Sequence, residues 1–182
     1  DPNGLYYKNG FYHLYYQYNP YGIKWGNISW GHATSQDLIH WINHPPAILQ
    51  NHLGDVFSGS IIIDNNNDAG FGKKTVCAFY TSSSDKQVQS LAYSTDDGKT
   101  FKNYMNNPIL TDEENKDFRD PKLFWHKQTN KWIMALATGQ TITFYSSTNL
   151  KAWSKLSIFG NGIGCHKGVW ECPDLFEISN GT

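Results

Sequence analysis

Ser35-Gln36-Asp37-Leu38-Ile39-His40-Trp41 returns as Ser147-Thr148-Asn149-Leu150-Lys151-Ala152-Trp153, and between them lies a copy one residue longer, Ser94-Thr95-Asp96-Asp97-Gly98-Lys99-Thr100-Phe101. The closing rings Trp41, Phe101 and Trp153 are 60 and 52 residues apart, a period suited to a four-stranded propeller blade. Each copy reads as an outer turn, in which Asp or Asn bends the chain and the ring plugs the gap between blades. That role is structural and carries no chemistry.

Outward from these turns the chain is built of short runs rich in aromatic and branched residues, punctuated by Gly, Asn, Asp and Pro. Clear strand-like runs are Phe11 to Tyr18, Ser60 to Ile63, Val76 to Thr81, Leu123 to His126, Trp132 to Ala137 and Thr141 to Ser146. Loops are expected at Asn65 to Gly72, Asp112 to Asp117 and Gly160 to Gly168. No segment sustains a 3.6-residue period, so the fold class is all-β.

The same period marks the other end of each unit. Asp1-Pro2-Asn3-Gly4, Phe57-Ser58-Gly59-Ser60, Arg119-Asp120-Pro121-Lys122 and Glu171-Cys172-Pro173-Asp174 each precede a strand-like run, at intervals of 57, 62 and 51 from Asp1 through Ser58 and Asp120 to Glu171. In a propeller the first strand of every blade lines the central channel, so the residues at its head converge on one mouth. Clustered carboxylates repel one another, and Asp1, Asp120 and Glu171 meeting there point to a functional site rather than to solvated turns. Arg119 is the only arginine beside 14 lysines. Its planar fork can hold a carboxylate or sugar hydroxyls in a way an ammonium cannot.

Composition narrows the partner. With 15 basic and 16 acidic side chains the formal net charge is -1, which leaves no basic footprint for nucleic acid or an anionic membrane. No apolar run reaches the ~20 residues of a membrane helix. The 11 Tyr and 7 Trp suit both β cores and sugar faces. Cys77, Cys165 and Cys172 make no C-x-x-C pair, and His40 and His44 sit beside Pro45 and Pro46, where a helix presenting both rings is disfavoured. No metal or cofactor is expected. A neutral, polar partner fits better.

Six motifs carry a resemblance. Asp1-Pro2-Asn3-Gly4, Tyr15-Tyr16-Gln17-Tyr18-Asn19-Pro20, Trp30-Gly31-His32-Ala33, Phe57-Ser58-Gly59-Ser60, Phe118-Arg119-Asp120-Pro121 and Trp170-Glu171-Cys172-Pro173-Asp174 resemble, in order and spacing, glycoside hydrolase family 32, the invertases, exo-inulinases, levanases and sucrose-6-phosphate hydrolases. The resemblance implies a five-bladed propeller followed by a β-sandwich. Residues 1–182 are then expected to be part of that catalytic propeller, covering the first three blades and the start of the fourth. Expressed alone, they would be poorly soluble and inactive, with bare strand edges.

The resemblance further implies that Asp1 is the nucleophile, Glu171 the general acid/base and Asp120 the transition-state stabiliser. It places Asn3, Gln17, Trp25, Phe57, Ser58 and Arg119 around a fructose pocket, with Arg119 pairing Asp120 and Glu171 in an apolar setting between Trp170 and Cys172. The implied activity is release of fructose from fructans and sucrose by a retaining, exo-acting enzyme without cofactor. Leu91-Ala92-Tyr93-Ser94-Thr95-Asp96-Asp97-Gly98 and the residues around Glu171 look most like the secreted levanases and exo-inulinases, so a secreted or cell-surface protein is expected. A cytoplasmic sucrose-6-phosphate hydrolase, a fructosyltransferase and a catalytically dead fructan-binding propeller are the alternatives. Keeping all three acids argues against the last. Asn27-Ile28-Ser29 and Asn180-Gly181-Thr182 match the N-glycosylation pattern.

Overall fold

A computed structural model describes residues 1–178, so the second glycosylation motif at Asn180 lies outside the described residues. The described residues form three four-stranded antiparallel meanders. The first holds β1 (Pro2–Lys8), β2 (Phe11–Tyr18), β3 (Ser29–Ser35) and β4 (Ile42–Ile48). The second holds β5 (Asp55–Asp64), β6 (Thr75–Ser83), β7 (Gln87–Ser94) and β8 (Lys102–Asn103). The third holds β9 (Phe118–His126), β10 (Lys131–Thr138), β11 (Thr141–Ser147) and β12 (Ser154–Phe159). Among the described residues there is no helix, in keeping with the all-β expectation.

Each outer turn is built by its own short polar side chains. Ser35 Oγ accepts the N–H of Leu38 at 2.8 Å, while Asp37 Oδ1 accepts those of Ile39 and His40 at 2.9 and 2.8 Å. Ser147 and Asn149 repeat the pattern toward Leu150, Lys151 and Ala152 at 2.8, 3.0 and 2.8 Å. These bonds hold Leu38 and Leu150 at φ of 65° and 62°, a region leucine rarely enters. Two of the three closing rings pack as expected: Phe101 meets Tyr15 of the first sheet edge-on at 5.6 Å, and Trp153 meets Phe79 of the second at 6.1 Å; Trp41 joins neither core cluster, and its Nε1 donates to Leu38 O of its own turn at 3.2 Å.

The core lies between blades. One cluster joins the first and second sheets around Tyr15, Trp30, Val56 and Tyr80; the other joins the second and third around Phe79, Leu91, Phe118, Met134 and Leu136. Strand β6 is buried along nearly its whole length because its sheet is sandwiched, which explains its unbroken Val-Cys-Ala-Phe-Tyr run. By contrast β12 is exposed throughout.

The first strands β1, β5 and β9 carry the expected heads. Each ladder slips at that head, between Pro2 and Leu5, between Val56 and Gly59, and between Arg119 and Lys122 opposite Ala137 and Ala135. A bulge there turns the leading side chains toward the mouth. Gly59 permits it, since a Cβ would stand 1.9 Å from the Phe79 carbonyl oxygen. Residues 171–178, expected to open a further strand, join no ladder among the described residues.

Candidate active site

Heads from all three sheets and the segment after β12 meet around one cleft of about 440 Å³, lined by Asp1, Gln17, Trp25, Phe57, Ser58, Gln87, Asp117, Arg119, Asp120, Glu171 and Cys172. Eight of the nine residues singled out from the sequence are in that lining; Asn3 is the exception. Strand β1 advances ~3.3 Å per residue away from the mouth, so Asn3 stands deeper, in a second cavity of about 450 Å³ along the channel. Both polar atoms of its carboxamide are buried there without a protein partner.

Neighbouring blades fix the polar groups. The Gln17 backbone N–H donates to Asp1 O at 3.0 Å, and its Nε2 donates to Ser58 Oγ at 2.8 Å, tying the first head to the second. Trp25 stands 80% exposed on the loop after β2, its ring edge-on to Phe57 at 6.3 Å. An aromatic face held open beside hydroxyl-binding groups suits a sugar ring.

Asp120 is 6% exposed, and its backbone N–H donates to Thr81 Oγ1 at 3.0 Å. Its Oδ2 accepts the Cys172 N–H at 2.8 Å. Burial pushes the Asp120 carboxyl above its ordinary range, against the Cys172 hydrogen bond and the Arg119 charge, which favour the ionised form. The Cys172 thiol is raised as well, by burial first and then by the charge of Asp120.

Arg119 departs from expectation. Its side chain is only 10% exposed, but its bonds go to Asp117 Oδ1 at 2.5 Å, Gln87 Oε1 at 3.2 Å and Glu171 Oε1 at 3.0 Å rather than to Asp120. Burial works against the guanidinium charge, and the bonds to Asp117 and Glu171 outweigh it, leaving its pKa raised. Glu171 in turn is 61% exposed and tethered through one oxygen, at the edge of an apolar cavity lined by Ile142, Phe144, Phe159 and Trp170.

One residue of register explains both differences. Asp120 and Cys172 each precede a proline, each has a positive φ, 64° and 47°, and they are 52 residues apart. The residue that answers Asp120 in the next unit is therefore Cys172, and Glu171 answers Arg119. Equivalent positions of adjacent units face each other across the mouth, so the guanidinium meets the glutamate. The matching prolines, Pro121 and Pro173, were the sequence signal for that alignment. Gln87 and Asp117 carried no such signal, because they reach the cleft from the start of β7 and from the loop before β9.

Residues 1–182 match the N-terminal domain of Glycosyl hydrolases family 32. The chain belongs to this family. It is 51% identical over 182 residues to a levanase of Bacillus subtilis, covering 98% of this chain and 27% of that protein. It is 46% identical over 209 residues to an extracellular exo-inulinase of Aspergillus ficuum, covering 98% of this chain and 39% of that one. A fructofuranosidase of Schwanniomyces occidentalis solved in complex with fructose superposes with a TM-score of 0.93 at 42% identity, over all of this chain and 38% of that one. The chain thus spans well under half the length of these family 32 relatives. Its three sheets are blades of the five-bladed propeller of the family.

Proposed function

We propose that the family 32 protein containing this chain is a retaining, exo-acting β-fructofuranosidase that releases fructose from fructans and from sucrose. The observation that carries the proposal is the convergence of Asp1, Asp120 and Glu171, from separate units, on one cleft of about 440 Å³. The levanase and exo-inulinase relatives support fructan as substrate. Relatives named extracellular support a secreted or cell-surface enzyme.

An Asp1 carboxylate oxygen attacks the anomeric carbon while the bond to the leaving oxygen breaks and Glu171 gives that oxygen its proton. The product is a fructosyl ester of Asp1. Glu171, now a carboxylate, takes a proton from water, whose oxygen attacks the same carbon and frees Asp1. The developing charge is oxocarbenium-like, and Asp120 holds ring hydroxyls against it from a buried, hydrogen-bonded position. Trp25 and Phe57 cover the sugar, while Gln17 and Ser58 bond its hydroxyls. A seated substrate also removes water from the exposed Glu171 carboxyl, so the dry surroundings an acid catalyst uses are supplied by the sugar itself.

The test is hydrolysis of sucrose, inulin and levan by the full-length protein containing this chain, with products separated by chromatography and the first anomer followed by NMR. Fructose alone, released as the β anomer, is expected. Oligosaccharides from the polymers would refute exo-action, and an initial α anomer would refute the covalent step. Glu171→Gln should cut turnover of sucrose by about 100-fold or more and spare an activated aryl fructoside. Equal losses on both would reassign the acid.

A further inference from the structure

We propose that Gln87 is a positioning residue for Arg119 and, through it, for Glu171; the inference rests on the fructosidase mechanism above. Gln87 begins β7, in the sheet that carries neither Arg119 nor Glu171, and its side chain lines the cleft. Its Oε1 accepts two N–H groups at once, the Phe118 backbone N–H at 2.9 Å and Arg119 Nη1 at 3.2 Å. One oxygen therefore ties down both the backbone just before Arg119 and the end of its side chain.

The geometry shows why that tie is needed. Asp117 Oδ1 binds the same Nη1 at 2.5 Å, but Asp117 sits in a loop and is itself 40% exposed. A single bond leaves the guanidinium free to swing about that contact. With Gln87 as a second acceptor in a different direction, the plane of the guanidinium is set and Nη2 is aimed at Glu171 Oε1, 3.0 Å away. Between these two, the arginine is 10% exposed and the glutamate 61%, so the buried partner is the reference and the exposed one is guided. Gln87 does this without bringing another negative charge to a mouth that already holds four carboxylates, Asp1, Asp117, Asp120 and Glu171.

The experiment uses the full-length protein containing this chain with Gln87→Met, which keeps the length and removes the acceptor, and Gln87→Glu, which keeps an acceptor. A misplaced acid loses turnover more than binding. Gln87→Met should lower kcat on sucrose by about 10- to 100-fold with KM within about threefold, and lower it less on an activated aryl fructoside. Gln87→Glu keeps the acceptor but adds a charge, so its kcat should fall less than that of Gln87→Met. The inference is overturned if Gln87→Met keeps kcat within twofold, if both variants fall alike, or if Tm drops while kcat holds, which is the pattern of a structural residue. A parent protein that releases no fructose overturns the mechanism itself. An active parent with an indifferent Gln87→Met overturns the Gln87 role alone.

Discussion

Asp120 is held at φ 64° directly before Pro121, a backbone state that costs ~1–3 kcal/mol, and its carboxyl is buried as well. The bonds from Asp120 N–H to Thr81 and from Cys172 N–H to Asp120 Oδ2 hold it there. Because burial raises its pKa in the fold above the unfolded value of 3.8, the folded chain favours the protonated acid, and ionised Asp120 at neutral pH weakens the fold. Asn accepts the same Cys172 N–H, carries no charge and tolerates positive φ better than most residues. Asp120→Asn is therefore expected to raise Tm by about 2–4 °C while lowering fructose release by about 100-fold or more. Thermal denaturation at pH 7 beside an activity assay decides it, and a lowered Tm would show that desolvation is not the dominant cost at this position.

At the scale of elements, what is local in sequence was legible and what depends on register was not. The outer turns could be read because Ser35, Asp37, Ser147 and Asn149 bond only to residues up to three positions on. The array His13, His32 and His44 could not, because it exists only once β2, β3 and β4 pair. His13 Nδ1 lies 3.1 Å from His32 Nε2, and His32 stacks on Tyr15 at 4.5 Å and lies against His44 at 4.7 Å. Burial, followed by the charges of His44 and His13, lowers His32 from 6.5 to about 3. His13 is also lowered, by burial and then by His44, with Lys8 acting the same way and Asp97 opposing. Both stay neutral in the fold at a pH where the unfolded chain takes up protons. The share of His32 is whole above pH 6.5 and is lost as pH falls from there toward about 3, and His13 contributes in the same direction. His32→Phe keeps a flat ring in the stack and removes the titration. Between pH 6.5 and 4.5 its Tm should fall by roughly 5 °C less than that of the parent chain. Parallel acid limbs in the two Tm-against-pH curves would exclude the histidines as the cause.

The chain as a whole is a repeat whose period was visible in Trp41, Phe101 and Trp153, and whose candidate site was visible in the acids at the unit heads. Six of the eight candidates in the cleft lining, Asp1, Phe57, Ser58, Arg119, Asp120 and Glu171, stand at unit heads, which a propeller brings together; Gln17 in β2 and Trp25 on the loop after it were reached only through the family resemblance, and Gln87 and Asp117 escaped because neither the head pattern nor the resemblance marked them. What couples the units is equally non-local. Ser60 in β5 donates its hydroxyl to the Pro121 carbonyl at 2.8 Å and accepts the Leu123 N–H at 3.1 Å, so one side chain bridges the first strands of adjacent blades where no backbone ladder joins them. That bridge lies next to Asp120. Ser60→Ala leaves a buried carbonyl and a buried N–H unpaired, which costs about 2–3 kcal/mol and lowers Tm by about 4–10 °C. Ser60→Thr keeps the hydroxyl and should recover most of that loss. If the bridge also steadies the site, fructose release by the alanine variant falls well below Tm, where the chain is still folded. An alanine variant with parental activity at 25 °C and a lowered Tm would confine Ser60 to holding blades together.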